Sequence, residues 1–401
     1  MEGSSDPERP SDRGNRKASE AMLRTVAGSM NLKEGEEAVR RVLTEIHRRG
    51  KVTTKDLARA ARLPTPVAAA IRRELEKRGL VARKGGAILT EEGERLVEGL
   101  GLVGGGYERP KTRLEVPLTE EHDELLNKLR EISARRPTPD TKLDQAYATP
   151  ETALRRALYM LGEGDLAGRD VLFLGDDDLT SVAAGLLSVA KGLTVIDIDE
   201  RLLELIGKVS RSEGLGVNCV SHDLRRPLPE EHLGRYDVVF TDPSYTVPGL
   251  VLFLSRAVQA LRRRKTASVY VAFADKPPLE MLVVHRAITG MGLFVRELIP
   301  RFNEYEGAEM FANTSSLMRL STTEETRPAV TGAFEGGIYT GELTPSLRIY
   351  RCRCGERIQV GTGEKFSTIE ELKFLGCPRC GRREGFRLVK KTRLPAADRD
   401  G

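Results

Sequence analysis

Tryptophan is absent from this 401-residue chain, and aromatic residues make up only 5% of it. No run of eighteen or more apolar residues occurs, which excludes an ordinary membrane-spanning helix. The first residues are polar, with no apolar stretch of a secretory signal. The sequence therefore reads as a soluble, cytoplasmic protein with no membrane partner. Cysteine is scarce: five residues, four of them within the last fifty. That distribution excludes a disulfide framework and points to metal ligation. Charged residues, at 31%, are abundant, a balance that suits a thermophile.

The net charge of +5 conceals an uneven distribution. Residues 1–110 hold 22 Lys and Arg against 17 Asp and Glu, and residues 345–401 hold 14 against 7. The middle, 111–344, holds 28 against 35. Basic ends admit nucleic acid as a partner without favouring it, whereas an acidic centre attracts a cationic substrate.

Along the chain, residues 1–20 lack an apolar period and are expected to be disordered. Residues 21–105 read as a winged-helix-like domain. Ala38, Val42, Leu43 and Ile46 share a helical face, a short helix follows Thr53, Val67–Arg78 forms a second, and 79–90 gives a two-stranded wing. In that family the second helix enters the major groove, which would turn Arg72, Arg73 and Lys77 toward DNA. The competing reading is a docking or homodimer module. Gly99–Gly106 marks a boundary. Residues 106–165 form a helical linker and flap, with a helix over Ala153–Leu161 capped by Thr149.

Residues 166–330 alternate strand and helix, with strands expected near 171–175, 193–197, 216–221, 237–241 and 267–274, and continuing at 293–300 and 315–320. This is the pattern of an α/β, Rossmann-like doubly wound sheet of the class I methyltransferase type. Ligands of such sheets sit beyond the carboxyl ends of the strands. Here those ends are acidic. Gly175 is followed by Asp176, Asp177 and Asp178 rather than by a Gly-x-Gly-x-x-Gly turn, so phosphate would be repelled and an amine or sulfonium attracted. One aspartate would suffice to cap the next helix. Asp197 ends the second strand, where an acid accepts ribose hydroxyls. Asp199 reads as a helix cap. Asp223, beside Leu224, stands where adenine's amino group is received, and His222 reads as structural. Together these acids imply an adenosine ligand without phosphate. Asp242-Pro243-Ser244-Tyr245 ends the fourth strand and suits a nitrogen nucleophile, held by the carboxylate and walled by the ring. Asp144, Gln145 and Tyr147 precede the first strand where a flap would lie, and for the first two a structural role stays open.

These motifs, with Thr149-Pro150-Glu151-Thr152 and Ile338-Tyr339-Thr340, resemble the branched-chain polyamine synthases over roughly residues 30–390. The resemblance implies transfer of aminopropyl groups from decarboxylated S-adenosylmethionine, the co-substrate, to the secondary amine of spermidine. One departure is Ser244, where the family's motif is typically Asp-Pro-Pro-Tyr. On this reading Asp177 or Asp178 is the general base, Asp242 holds the same nitrogen and Tyr245 walls the pocket. Asp144, Gln145, Asp176, Pro243 and Glu304 (with Glu306) serve the polyamine substrate, while Gly175, Asp176, Asp197, Asp223 and Leu224 serve the donor. The alternatives are a DNA amino-group methyltransferase and a non-catalytic regulator sensing a nucleoside or polyamine.

Residues 331–401 form the last module. Cys352-Arg353-Cys354-Gly355 and Cys377-Pro378-Arg379-Cys380-Gly381 resemble a zinc ribbon, four thiolates around one structural zinc. Cys219 falls within a strand and reads as a core residue.

Overall fold

The computed structural model describes residues 10–61, 63–102, 116–262, 266–306, 313–343, 346–361, 364–366 and 369–393. It divides into two compact units, one comprising residues 1–115, 274–282 and 299–316, the other the remainder.

In the first unit, helices α1 (Pro10–Ser29), α2 (Glu36–Arg49), α3 (Thr54–Ala61) and α4 (Thr65–Lys77) precede a hairpin of β1 (Val81–Arg83) and β2 (Ala87–Leu89), then α5 (Glu91–Gly99). Val81 pairs with Leu89 across the antiparallel hairpin, and Val52 bridges to Ala87 at its side. Leu23, Val26, Val42, Ile46, Leu57, Ile71 and Leu75 form one core. The helices fall close to their expected places because each carries an apolar stripe at helical spacing. The stretch 1–20 departs from expectation: from Pro10 onward it is helical. Residues 1–9 lie outside the described residues, as do 103–115. The reason for the departure is local. Leu23 and Val26 are buried in this core, and the residues before them extend the same helix.

The second unit begins with α6 (Asp123–Ser133) and α7 (Pro150–Gly162) and continues with β3 (Asp170–Leu174), α8 (Thr180–Leu186), β4 (Gly192–Asp197), α9 (Glu200–Glu213) and β5 (Val217–Ser221). Then follow β6 (Val238–Thr241), α10 (Val247–Ala260), β7 (Ser268–Phe273), α11 (Pro278–Gly290), β8 (Leu293–Glu304) and β9 (Thr314–Thr322). The seven strands β3–β9 make one mixed sheet in the order β5-β4-β3-β6-β7-β9-β8. β3, β4, β5, β6 and β7 pair in parallel. Each is a short, largely buried apolar run, as strands covered on both faces must be. The chain order reverses between β3 and β6, so the crevice beyond their carboxyl ends is where a ligand belongs. The first residues of α11 and the outer ends of β8 and β9 fall in the first unit.

The chain closes with α12 (Thr340–Leu343), β10 (Ser346–Arg351), β11 (Arg357–Val360), α13 (Ile369–Leu375) and β12 (Arg387–Arg393). β10 lies between the other two strands, and Ile358, Val360, Phe366 and Leu372 give this small sheet its own core. Among the described residues, no helix is long and apolar enough to cross a membrane.

Candidate active site

The site grows from the end of β3. Gly175 takes a φ of 70°, a left-handed turn that glycine adopts without strain. Its N–H donates to the Ile196 carbonyl at 2.9 Å, and the Asp176 N–H donates to Asp197 Oδ2 at 2.9 Å. The three aspartates that follow look alike in sequence but meet three different surroundings.

Asp176 is a buried cap. Its two oxygens accept the N–H groups of Thr180 and Ser181 at 2.8 and 3.0 Å at the start of α8. Burial pushes its carboxyl up to about 8; the neighbouring Asp178 adds to the rise, and the Ser181 and Thr180 donors oppose it.

Asp178 is engaged on both oxygens. Oδ1 accepts the Ala148 N–H at 2.5 Å, and Oδ2 receives Arg156 Nη1 at 2.5 Å. The same guanidinium donates through Nη2 to Asp242 Oδ2 at 2.6 Å and lies 5.0 Å from the Phe240 ring. Arg156 is fully buried. One cation thus joins the end of β3 to the end of β6. A buried ion pair is tolerable only when its hydrogen bonds are satisfied this fully. The sequence reading missed Arg156, although a signal was present: it occupies the face of α7 that carries Ala153, Ala157 and Met160, all buried.

Asp177 is the carboxylate left over. It is half-buried, and among the described residues its side chain makes no hydrogen bond or ion pair. Burial pushes its carboxyl well above the usual range, and the charges of Asp178, Asp242, Asp197 and Asp176 push it further. A carboxyl so placed has a raised affinity for a proton, which suits a group that must take one from a cationic substrate.

Asp197 accepts N–H groups from Asp176 and Asp199, and burial raises its carboxyl. Asp199 caps α9 through the Arg201 N–H, as expected, and pairs with the Arg201 guanidinium at 2.6 Å. Despite burial, those bonds hold its carboxyl below the usual range. Gln145 Nε2 donates to Asp199 at 3.1 Å and Gln145 Oε1 accepts the Asp140 N–H at 2.7 Å, so both ends of that amide are engaged within the protein. Asp223 receives the Arg225 N–H at 2.9 Å beside a buried Leu224. The Arg225 guanidinium stands over the Tyr339 ring, whose phenol is raised by burial and by Asp223 and Asp197. His222 has one ring nitrogen, Nε2, buried without a partner among the described residues.

The segment around Tyr339 is strapped down. Ser244 and Thr246 hydroxyls both donate to the Ile338 carbonyl, at 2.8 and 2.6 Å. Asp144, in the left-handed conformation, accepts both the Thr340 N–H at 2.7 Å and its hydroxyl at 2.9 Å. Glu342 accepts the N–H groups of Ile338 and Tyr339. Tyr147 donates to the Pro137 carbonyl under a stacked Arg136. Tyr245 packs edge-on against Phe273, with centroids 5.5 Å apart. Glu304 belongs to the first unit, where it pairs with Arg59 at 3.6 Å; Glu306 is exposed.

The four C-terminal cysteines converge, their sulfurs all within 4.8 Å of one another. The Cys352–Cys380 and Cys354–Cys377 sulfurs are each 3.7 Å apart. Four thiolates about 2.3 Å from one tetrahedral zinc stand about 3.8 Å apart, so the set fits that ion. Each cysteine pair is folded as a turn: the Gly355 N–H donates to the Cys352 carbonyl and that of Gly381 to Cys377. Cys219 lies on β5, half-buried.

Comparison with known proteins agrees in one direction. The family model of the branched-chain polyamine synthase A C-terminal domain matches residues 124–342. An uncharacterized protein from Methanocaldococcus jannaschii is 40% identical over 380 residues, covering 93% of this chain and 94% of that relative. The N(4)-bis(aminopropyl)spermidine synthase of the same organism is 31% identical over 296 residues, 71% of this chain and 82% of the relative. The crystal structure of the Thermus thermophilus branched-chain polyamine synthase with N4-aminopropylspermidine and 5'-methylthioadenosine is 25% identical. It covers 80% of this chain and 97% of its own, with a TM-score of 0.64.

Proposed function

Because the chain belongs to the branched-chain polyamine synthase family, we propose that it transfers aminopropyl groups from decarboxylated S-adenosylmethionine to the secondary amine of spermidine. The products are a branched-chain polyamine and methylthioadenosine. The observation that carries this reading is the acidic turn itself. Where a nucleotide-binding sheet offers phosphate a glycine loop, this one offers Asp177, without a side-chain partner among the described residues, beside two carboxylates already joined by Arg156.

The chemistry follows from that arrangement. Asp197 accepts the ribose hydroxyls of the donor, and Asp223 with Leu224 receives its adenine, in a Rossmann-like sheet of the class I methyltransferase type. The acceptor's inner nitrogen arrives protonated at neutral pH, and Asp177 takes that proton. Asp242, fixed by Arg156, orients the nitrogen against the propyl carbon next to sulfur, while Tyr245 walls the pocket. The nitrogen lone pair forms the new C–N bond, the C–S bond breaks, and its electrons leave on the neutral thioether. Asp178, with both oxygens engaged, is not the base; of the two candidates this leaves Asp177. Asp176 acts through α8 and Gln145 through Asp199, so both position rather than touch the substrate. Asp144 acts likewise by holding Thr340.

The two outer parts are read as follows. The helices α2–α4 with the β1–β2 hairpin form a winged-helix-like domain. Arg72 is drawn into an ion pair with Glu76 at 3.5 Å and its side chain is only 11% exposed. That geometry favours docking over groove reading. Cys352, Cys354, Cys377 and Cys380 hold a structural zinc in a ribbon-like module. A closed four-thiolate site stabilises its fold and has no open position for catalysis.

The test is mass spectrometry of the products from spermidine and decarboxylated donor. Aminopropylated spermidine with equimolar methylthioadenosine is expected. Methylthioadenosine without an alkylated spermidine, or no turnover with any polyamine offered, would overturn the assignment.

A further inference from the structure

The C-terminal sheet carries an arrangement that the transfer reaction does not use. Arg351 on the central strand β10 lies directly opposite Arg357 on β11 and, on its other side, opposite Arg387 on β12. Three arginines therefore form one row across three strands. All three are exposed, and among the described residues none has an ion pair. Side chains directly opposite in neighbouring strands touch, so like charges there are destabilising. A sheet stabilised for its own sake would alternate signs. The next position on the same face repeats the pattern, with Ile349 opposite Gln359 and Lys390 and no carboxylate.

The row faces outward. Along β11, Ile358 and Val360 are buried while Arg357 and Gln359 are exposed. Alternation then places Arg351 and Arg387 on the exposed side with their partner Arg357. Strands stand about 4.8 Å apart, so the three stems span about 10 Å, a reach that covers two or three consecutive phosphates of an extended strand. Arginine's planar fork pairs with phosphate oxygens bidentately. Three strands make the face about 10 Å wide, and the arginines come from neighbouring strands rather than from a helix of the kind that enters a major groove. The module also lies beyond residues 124–342, the part matched by the family model.

We propose that this face binds the phosphate backbone of single-stranded nucleic acid. A protein that makes a polycation would then be held beside the polyanion its product binds. The site is independent of the acidic edge, so transfer activity serves as the control.

The experiment is fluorescence anisotropy of the full-length, zinc-loaded protein with a labelled 15-nucleotide single-stranded RNA, without polyamine. Parallel tubes hold the matching DNA strand, a duplex of equal length and vesicles of anionic phospholipid. Binding should weaken with salt, with a log–log slope of about −2 for three phosphate contacts at roughly 0.7 each. The triple variant R351E/R357E/R387E should bind at least about tenfold more weakly, with aminopropyl transfer unchanged. If charge reversal lowers the zinc content, R351Q/R387Q with full zinc decides instead. Equal affinity in the variant with full zinc, tighter binding to duplex, binding to vesicles alone, or no binding at low salt would each overturn the proposal. RNA and DNA strands binding alike would support it, since the row reads phosphate.

Discussion

Two clusters of like charge stand in this protein, and they are handled in opposite ways. At the carboxyl edge of the large sheet, five aspartates crowd a buried site. There the protein inserts Arg156 between two of them, caps a helix with a third and leaves Asp177 alone with a raised affinity for a proton. On the small C-terminal sheet three arginines stand in a row in the open, and among the described residues none of them has an ion pair. Burial explains the contrast. A charge in low dielectric must be paired or neutralised, whereas an exposed one is left to water and to its ligand.

The comparison can be broken first at the scaffold of the basic row. Structural zinc contributes about 10–16 kcal/mol to the fold of small thiolate modules. Cys377→Ser should therefore lose the metal and open the module, while transfer to spermidine persists because the four clustered cysteines lie outside residues 124–342, the part that the family model matches. Native mass spectrometry reads the zinc and initial rates read the transfer; loss of both together would contradict the separation.

Asp177→Asn removes the carboxylate of the acidic edge that has no side-chain partner among the described residues. General-base assistance is worth about 10²–10⁴ in rate, so kcat/KM should fall by that much. The sign with pH follows from the raised carboxyl. The wild-type protein should lose activity on the acid side at a pH above the usual carboxylate range, as Asp177 takes its proton, and the variant should lack that limb. A variant with wild-type rate and limb would move the base elsewhere.

Arg156→Met leaves two buried carboxylates without their cation, a loss of about 3–5 kcal/mol in stability. It should also shift the acid limb upward, because uncompensated charge at Asp178 and Asp242 favours protonated Asp177. A lowered thermal midpoint with an unmoved limb would make Arg156 a scaffold residue only.

The smallest effect is expected at Ser244, whose hydroxyl donates to the Ile338 carbonyl at 2.8 Å. Ser244→Ala should cost about 1 kcal/mol and raise the KM for spermidine more than it lowers kcat, since the strap over the site loosens. An unchanged KM would separate the strap from acceptor binding.

Much of this was legible in the sequence. Short β-branched runs ending in acids located strands β3 to β7 within about two residues, because strands buried on both faces are written as continuous apolar runs. The cysteine pairs named their cluster. The separate fates of Asp176, Asp177 and Asp178 were not legible, since they depend on Ala148, Arg156 and the start of α8, brought together only by folding. Gln145 read as a substrate ligand yet holds Asp199, and the helix from Pro10 was hidden because its apolar face shows only near Leu23. The arginine row was likewise invisible: Arg351, Arg357 and Arg387 become neighbours only through strand register.

The most direct test of the central claim compares initial rates with decarboxylated and ordinary S-adenosylmethionine, with spermidine saturating in both. An acidic edge should reject the extra carboxylate of the ordinary donor by several kcal/mol, so kcat/KM for aminopropyl transfer should exceed that for any transfer from the ordinary donor by at least about 100-fold. Equal rates, or methyl transfer from the ordinary donor as the faster reaction, would contradict the account.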